Sequence, residues 1–400
     1  MQRFEGDLTQ QEGLPDASID RAIELLRSGR LHRYQTGDAE SEAAAFEREF
    51  AAWQGTEYCL ACTSGGYALF LALLAYGVKP GDAVLTNAYT LAPVPGAIAH
   101  AGGRPVFVEC DDDTVIDLAD LEVKIKQSGA RVLMVSHMRG HLVDMDALMA
   151  ILTANGVDLI EDCAHTMGAA WNGTRSGNFG IAACFSTQTY KHINSGEGGL
   201  LVSRDPELIA RATVASGSYM LYERHGAGPE TGAFDGARFQ MPNCSGRMDE
   251  LRAAILRPQL PQLDAQVERW LERYRAMESA LSRSNAARLR DRPAQEVFVG
   301  SSLQFRVTAF SPAQCEALVR HARARGVELK WFGAPEPHGY TSRHDSWRYV
   351  SAQTLPNTER VLSTLFDIRI PLTVSVADCA LIGEIIVAAI AEAATAESGS

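Results

Sequence analysis

Nowhere in the 400 residues is there an apolar run long enough to span a bilayer, which sets the helical membrane proteins aside. The start, Met1-Gln-Arg-Phe-Glu5, lacks the apolar core of a secretory signal, so a cytoplasmic protein is expected. Positive charge is in deficit. With 37 Lys and Arg against 49 Asp and Glu, the net charge of −12 disfavours nucleic acid or an anionic membrane as partner. The eight cysteines are scattered, several inside apolar runs, as reduced core thiols are, and do not form a disulfide framework. Cys59 and Cys62 make one CxxC with no second pair, short of the four ligands a structural zinc needs. His137 and His141 lie four apart, but Gly140 and the preceding strand argue against a helical metal pair, and no metal is expected. No internal repeat is visible.

What is present is a globular composition, 46% hydrophobic and 22% charged, in a chain long enough for a large α/β domain and an appendage. Residues 16–27 space Ile19, Ile23 and Leu26 as a helix does and stop at Ser28-Gly29. A second helix, 43–53, puts Phe46, Phe50 and Trp53 on one side. Strand candidates follow at 58–62, 83–86, 105–109, 131–136, 157–161, 182–186 and 200–203, with helical patterns at 66–75, 117–127 and 145–154 among them. This alternation predicts an α/β fold with a mainly parallel seven-stranded sheet covered on both faces. The short gap before the last strand suits a hairpin, hence one antiparallel strand. Residues 226–241 are glycine-rich and polar, a long mobile loop, and 248–281 read as one long helix linking two domains. From 297 a smaller α+β pattern begins: strand 302–307, helix 313–325, strand 328–331, a polar loop, and a final helix 377–391. The division is drawn as 1–255 and 256–400, with the tail 392–400 expected to fray.

The chemistry concentrates at strand ends. Val157-Asp-Leu-Ile160 ends in Glu161 and Asp162, as a buried strand does when it delivers a carboxylate to the edge where open sheets bind ligands. Ile181-Ala-Ala-Cys-Phe185 repeats the pattern, with Ser186 at its tip and Lys191 five residues on. Thr63-Ser-Gly-Gly-Tyr67 joins a strand to an apolar helix, a junction whose N–H groups and dipole suit an anion such as phosphate. A carboxylate, a hydroxyl and an amine on one edge are the groups that hold a protonated pyridine, a phosphate and an aldehyde. The expectation is a pyridoxal phosphate enzyme with Lys191 as its Schiff-base lysine and Asp162 paired to the ring nitrogen. The bland readings are a surface lysine and a turn carboxylate. The glycine-bearing surroundings of Lys191 do not read as a helix surface, which favours the functional one. Tyr89, just after a strand, is placed to stack on an aromatic cofactor or to sit as a rim aromatic. Asp111-Asp-Asp113 reads as a solvated turn.

Together these residues resemble the DegT/DnrJ/StrS sugar aminotransferase family of fold-type I pyridoxal phosphate enzymes. The marks are Ser64-Gly-Gly-Tyr-Ala-Leu69, Gly81-Asp-Ala-Val-Leu85, Tyr89-Thr90, His137-Met-Arg-Gly140 with Asp144-Met-Asp146, Glu161-Asp-Cys-Ala-His165, Phe185-Ser186, Lys191 and Gly196-Glu-Gly-Gly199, completed by Asn243 and Arg247. The resemblance implies that Lys191 and Asp162 are catalytic, and that His165 sits near the phenolic oxygen of the cofactor. It also implies that Ser186 and the turn Ser64, Gly65, Gly66 and Tyr67 hold the phosphate, that Tyr89 stacks on the ring, and that Asn243 reaches the site of a partner subunit in a homodimer. Relatives usually carry threonine where Gly66 stands, so Thr63 or Ser64 would substitute for its hydroxyl, and Asn243 and Arg247 are spaced wider than usual. Some relatives are dehydratases with histidine in place of the lysine; Lys191 therefore favours transamination. The implied reaction moves an amino group from glutamate or glutamine to a keto-sugar or keto-cyclitol in secondary-metabolite or surface-sugar biosynthesis. His137-Met-Arg-Gly140 and Leu256-Arg-Pro-Gln-Leu260 resemble the 3-amino-5-hydroxybenzoate synthase branch. The alternatives are an aromatising or dehydrating lyase on the same lysine, and a non-catalytic regulator.

Overall fold

The computed structural model describes residues 2–35, 40–340 and 343–395. The seven strand candidates pair into one sheet: β1 (Tyr58–Cys62), β2 (Ala83–Asn87), β3 (Arg104–Val108), β4 (Val132–Ser136), β5 (Asp158–Asp162), β6 (Ala182–Ser186) and β7 (Gly199–Ser203). Their order across it is β1-β7-β6-β5-β4-β2-β3. β7 is antiparallel to both neighbours, and the remaining pairs are parallel. The strands are apolar on both faces because both are covered. In β1, Cys59 and Ala61 face a core shared with the Glu42–Gln54, Leu118–Ser128 and Met145–Asn155 helices. Leu60 and Cys62 face another core, shared with the Gly65–Tyr76, Pro93–His100 and Pro206–Ala215 helices.

The expected long helix over 248–281 is divided. Glu250–Leu256 and Leu263–Leu281 are separated by a 3₁₀ stretch, Arg257–Gln262, in which Pro258 and Pro261 remove two backbone donors. Asp249 caps the first of these helices, accepting from the Arg252 N–H at 2.9 Å. The glycine-rich 226–241 segment is pinned by Phe234, which is buried, stacks on Tyr222 at 4.5 Å and packs with Ala210 and Val214.

A second sheet comprises β8 (Ser302–Arg306), β9 (Lys330–Trp331) and β10 (Leu365–Arg369), antiparallel in the order β8-β10-β9. β10 and the Pro356–Leu362 helix lie where the sequence reads as polar loop. Leu303, Phe305, Phe366 and Ile368 face a core closed by the Leu263–Leu281, Pro312–Ala324 and Val376–Ala394 helices. Phe4 sits in that same core and its N–H bonds the Arg325 carbonyl at 2.9 Å, so the first residues pack with the last third of the chain. Gln304, Arg306 and Asp367 alternate onto the opposite face and are buried too. Glu392 belongs to the last helix, and residues 396–400 of the expected frayed tail lie outside the described residues.

The acidic turn 111–113 is a clamp, not a merely solvated turn. Asp112 accepts from Arg306 at 2.7 Å and from Arg360 at 2.8 Å, and Asp113 pairs with Arg288 at 3.2 Å. The two guanidinium groups hold the Asp112 carboxyl down at about 2. Three arginines supplied from far along the chain thus converge on one loop of the large sheet.

Candidate active site

Parallel pairing brings the functional ends together. Ser136, last in β4, is in register with Asp162, last in β5, and its hydroxyl donates to Asp162 Oδ2 at 2.9 Å. The Ala164 N–H donates to Oδ1 at 3.1 Å. One donor on each oxygen fixes the buried carboxylate and leaves lone pairs for a further N–H. The preceding Glu161 serves the scaffold: it accepts from the N–H groups of Gly177, Phe179 and Gly180 and contacts His137 Nε2 at 3.0 Å. His141 points elsewhere, its Nδ1 lying 3.0 Å from the Thr114 hydroxyl. Glu161, His137 and Cys163 are grouped closely enough to ligate an ion, but those four contacts already engage the carboxylate.

Lys191 follows the turn after β6, and its Nζ lies 3.0 Å from His165 Nε2. Burial lowers the Lys191 pKa to about 7, with Arg139 and Arg369 adding to the effect and Asp162 opposing it. Burial, then Lys191 and Arg139, push His165 well below the ordinary imidazole range. The Arg139 N–H donates to His165 Nδ1 at 3.3 Å, so the neutral ring carries its proton on Nε2 and presents it to the amine. The result is a lysine of which roughly half is neutral and nucleophilic at pH 7, far more than an ordinary lysine offers. A cavity of about 520 Å³ opens beside it, walled by His192, Asn194, Gln259, Trp270 and the 11–15 segment.

The glycine turn forms the third part. Ser64 Oγ caps the Gly65–Tyr76 helix by accepting from the Tyr67 N–H at 3.1 Å, and the first intrahelical bond is Ala68 to Ser64. The N–H groups of Gly65 and Gly66 precede it and remain for an anion. Ser186 closes against this turn: a Cβ on Gly65 would lie 2.9 Å from its Cβ. A Cβ on Gly199, which starts β7, would meet the Ser64 carbonyl at 2.2 Å, which is why the Gly196-Glu-Gly-Gly199 run ends in glycine. A Cβ on Gly66 meets only Pro93, at 3.5 Å.

The remaining expected residues lie at the margins. Tyr67 spends its N–H on the cap and its hydroxyl on the carbonyl of Cys244. Tyr89 is buried, edge-on to Phe332 at 5.1 Å, with its hydroxyl unpartnered among the described residues. Asn243 is exposed. Ser136, Arg139, Tyr340, Asp367 and Arg369 were not anticipated. Arg139 pairs with the buried Asp367, which also accepts from the Tyr340 hydroxyl at 2.8 Å. For Ser136 the signal was present, since parallel register sets adjacent strand ends side by side.

A carboxylate, a lysine of lowered pKa and a glycine anion seat on one sheet edge accommodate pyridoxal phosphate by the chemistry of their donors, and this fold and site define a fold-type I pyridoxal phosphate enzyme. The chain belongs to the DegT/DnrJ/EryC1/StrS aminotransferase family, whose profile matches residues 16–386. It is 34% identical over 274 residues to the pleiotropic regulatory protein of Geobacillus stearothermophilus, a match covering 67% of each chain. It is 35% identical over 261 residues, 64% of each chain, to the 3-amino-5-hydroxybenzoate synthase of Amycolatopsis mediterranei (strain S699). The crystal structure of a 3-amino-5-hydroxybenzoic acid synthase superposes with a TM-score of 0.81 at 27% identity, over 96% of this chain and 99% of that one. The leaning toward that branch is supported by both. Among the described residues no helix is long and apolar enough to cross a membrane.

Proposed function

We propose that this protein transfers an amino group from glutamate or glutamine to a cyclic keto acceptor, a keto-cyclitol or a keto-sugar. The observation that carries the reading is the Lys191 amine, its pKa lowered to about 7, 3.0 Å from His165 Nε2 and facing the charge of the fixed Asp162 carboxylate. Pyridoxal phosphate, when bound, supplies an aldehyde that takes up the amino group and a ring that delocalises an electron pair. Asp162, oriented by Ser136 and Ala164, would pair with the protonated ring nitrogen. Gly65, Gly66, Ser64 and Ser186 would hold the phosphate, and Tyr89 would lie against the ring. Lys191 would carry a proton between its Nζ and the substrate Cα, and the His165 Nε2–H orients that amine. Residues 1–255 would form the cofactor-binding unit and 256–400 the smaller one. A homodimer would complete each site with Asn243 from the partner.

Mixing the cofactor-loaded protein with glutamate or glutamine tests this: the absorbance of the lysine-bound cofactor should convert, and a keto acceptor should restore it. Failure of both donors would refute transamination. Two relatives favour second readings. The synthase favours an aromatising or dehydrating lyase, which would release an ultraviolet-absorbing aromatic product. The regulatory protein favours a cofactor-binding regulator, which would bind the cofactor without converting it.

A further inference from the structure

We propose that Arg139 is a positioning residue for the reacting amine, holding His165 in the tautomer that faces Lys191 with an N–H. The proposal rests on Lys191 as the reacting group and adds a residue that acts on it through His165. Arg139 lies in the 3₁₀ turn after β4, Met138–Gly140, with φ +57° and ψ +22°. A side chain in this left-handed region crowds its own backbone, and arginine lacks the short polar group with which asparagine offsets the cost. Such a conformation persists where its surroundings over-determine it. Here the guanidinium is the anchor. It pairs with the buried Asp367 of β10 and lies 4.3 Å from the centre of the Tyr340 ring, whose hydroxyl also donates to Asp367. The turn is packed against His165 as well, since a Cβ on Gly140 would lie 3.1 Å from the His165 carbonyl.

The left-handed turn aims the Arg139 N–H at His165 Nδ1, 3.3 Å away. A neutral ring that accepts on Nδ1 carries its proton on Nε2, which stands 3.0 Å from Lys191 Nζ. A donor at that place favours the amine, whereas the other tautomer would present a lone pair there and favour the ammonium. Arg139 thereby links the second sheet to the basicity of Lys191 through its own backbone. Asp162, Arg139 and Arg369 also act on Lys191 as charges, and Lys191, Arg139, His192 and Arg369 act on His165. Removing the guanidinium therefore has a direct electrostatic effect too, and variants that all lack it hold that effect constant.

Full-length Asp367→Asn with Arg139→Gly and Asp367→Asn with Arg139→Ala both lose the ion pair and leave neither of its charges buried alone. They differ in that glycine adopts the left-handed turn freely. Nitrogen NMR of the cofactor-free protein with isotopically labelled histidine reads the tautomer, His165 being assigned from the His165→Gln spectrum. Wild type and the glycine form should carry the proton on Nε2, and the alanine form should shift it toward Nδ1. Acetic anhydride labelling at pH 7, mapped by mass spectrometry, should find Lys191 about fivefold less reactive in the alanine form than in the glycine form. Arg139→Lys, which keeps the ion pair, should match the wild-type tautomer and guards against a folding defect. Equal tautomers and equal labelling in the glycine and alanine forms would overturn the proposal, as would a wild-type ring protonated on Nδ1. Neither readout needs turnover. If borohydride fixes the cofactor on another lysine, the reading of Lys191 fails while the tautomer still reports on Arg139.

Discussion

Replacing Lys191 by methionine should make the cofactor-free protein more stable. The amine titrates at about 7 in the folded chain against 10.5 ordinarily, so folding must either deprotonate it or enclose its charge. Between those two values the unfolded chain binds more protons, and stability rises with pH across that window. Below pH 7 the full cost applies, and above 10.5 it is gone. A drop of that size corresponds to about 5 kcal/mol. Partial exposure of the side chain to water cuts this by roughly half. Loss of the contact with His165 returns about 1 kcal/mol. Methionine fills a similar volume without charge, so Lys191→Met should gain about 1–3 kcal/mol at pH 7. Urea unfolding of both cofactor-free proteins at equal concentration, followed by tryptophan fluorescence from pH 6 to 10, measures it. By pH 9 the gain should fall below half of its value at pH 7. A variant less stable at pH 7, or a gain that ignores pH, would refute the charge-burial argument.

Asp162→Asn should retain the cofactor but lose turnover by about a hundredfold or more, because an amide cannot stabilise a protonated ring nitrogen; near-normal steady-state rates would reduce Asp162 to a structural role. Gly65→Ala should weaken cofactor retention and cost about 1–3 kcal/mol, since its Cβ meets Ser186 at 2.9 Å, while Gly66→Thr, with 3.5 Å to Pro93, should be tolerated; dialysis against cofactor-free buffer ranks the two, and the reverse order would contradict the packing. Lys191→Ala and Asn243→Ala subunits, each inactive or weak alone, should recover about a quarter of wild-type activity on random exchange, because half the dimers then carry one intact site of two. Proven exchange without recovery would mean that each site is built from one chain.

The large sheet was legible because its strands are apolar on both faces and end abruptly in polar residues, so candidate positions for chemistry stand out. Lys191, Asp162 and Ser186 were singled out that way as candidate site residues. The helix over 248–281 was misread because apolar spacing persists through Pro258 and Pro261, whose missing donors outweigh the periodicity. β10 was missed for a different reason. Leu365-Phe-Asp-Ile-Arg369 alternates apolar and charged residues, a pattern that reads as half-solvated, and the sequence offers no sign that the polar face is buried against Arg139. The same blindness made 111–113 look solvated, because its arginines come from residues 288, 306 and 360.

β10 places two demands on five consecutive residues. Phe366 and Ile368 fill the second core, while Asp367 and Arg369 are set two apart on the opposite side, where Asp367 pairs with Arg139 and Arg369 lies over the Tyr190 ring. A shift by one residue would exchange the two sides and abolish folding and chemistry together. Drift of this strand is therefore closed to evolution, and a lineage can acquire a new substrate here only by changing side chains in place.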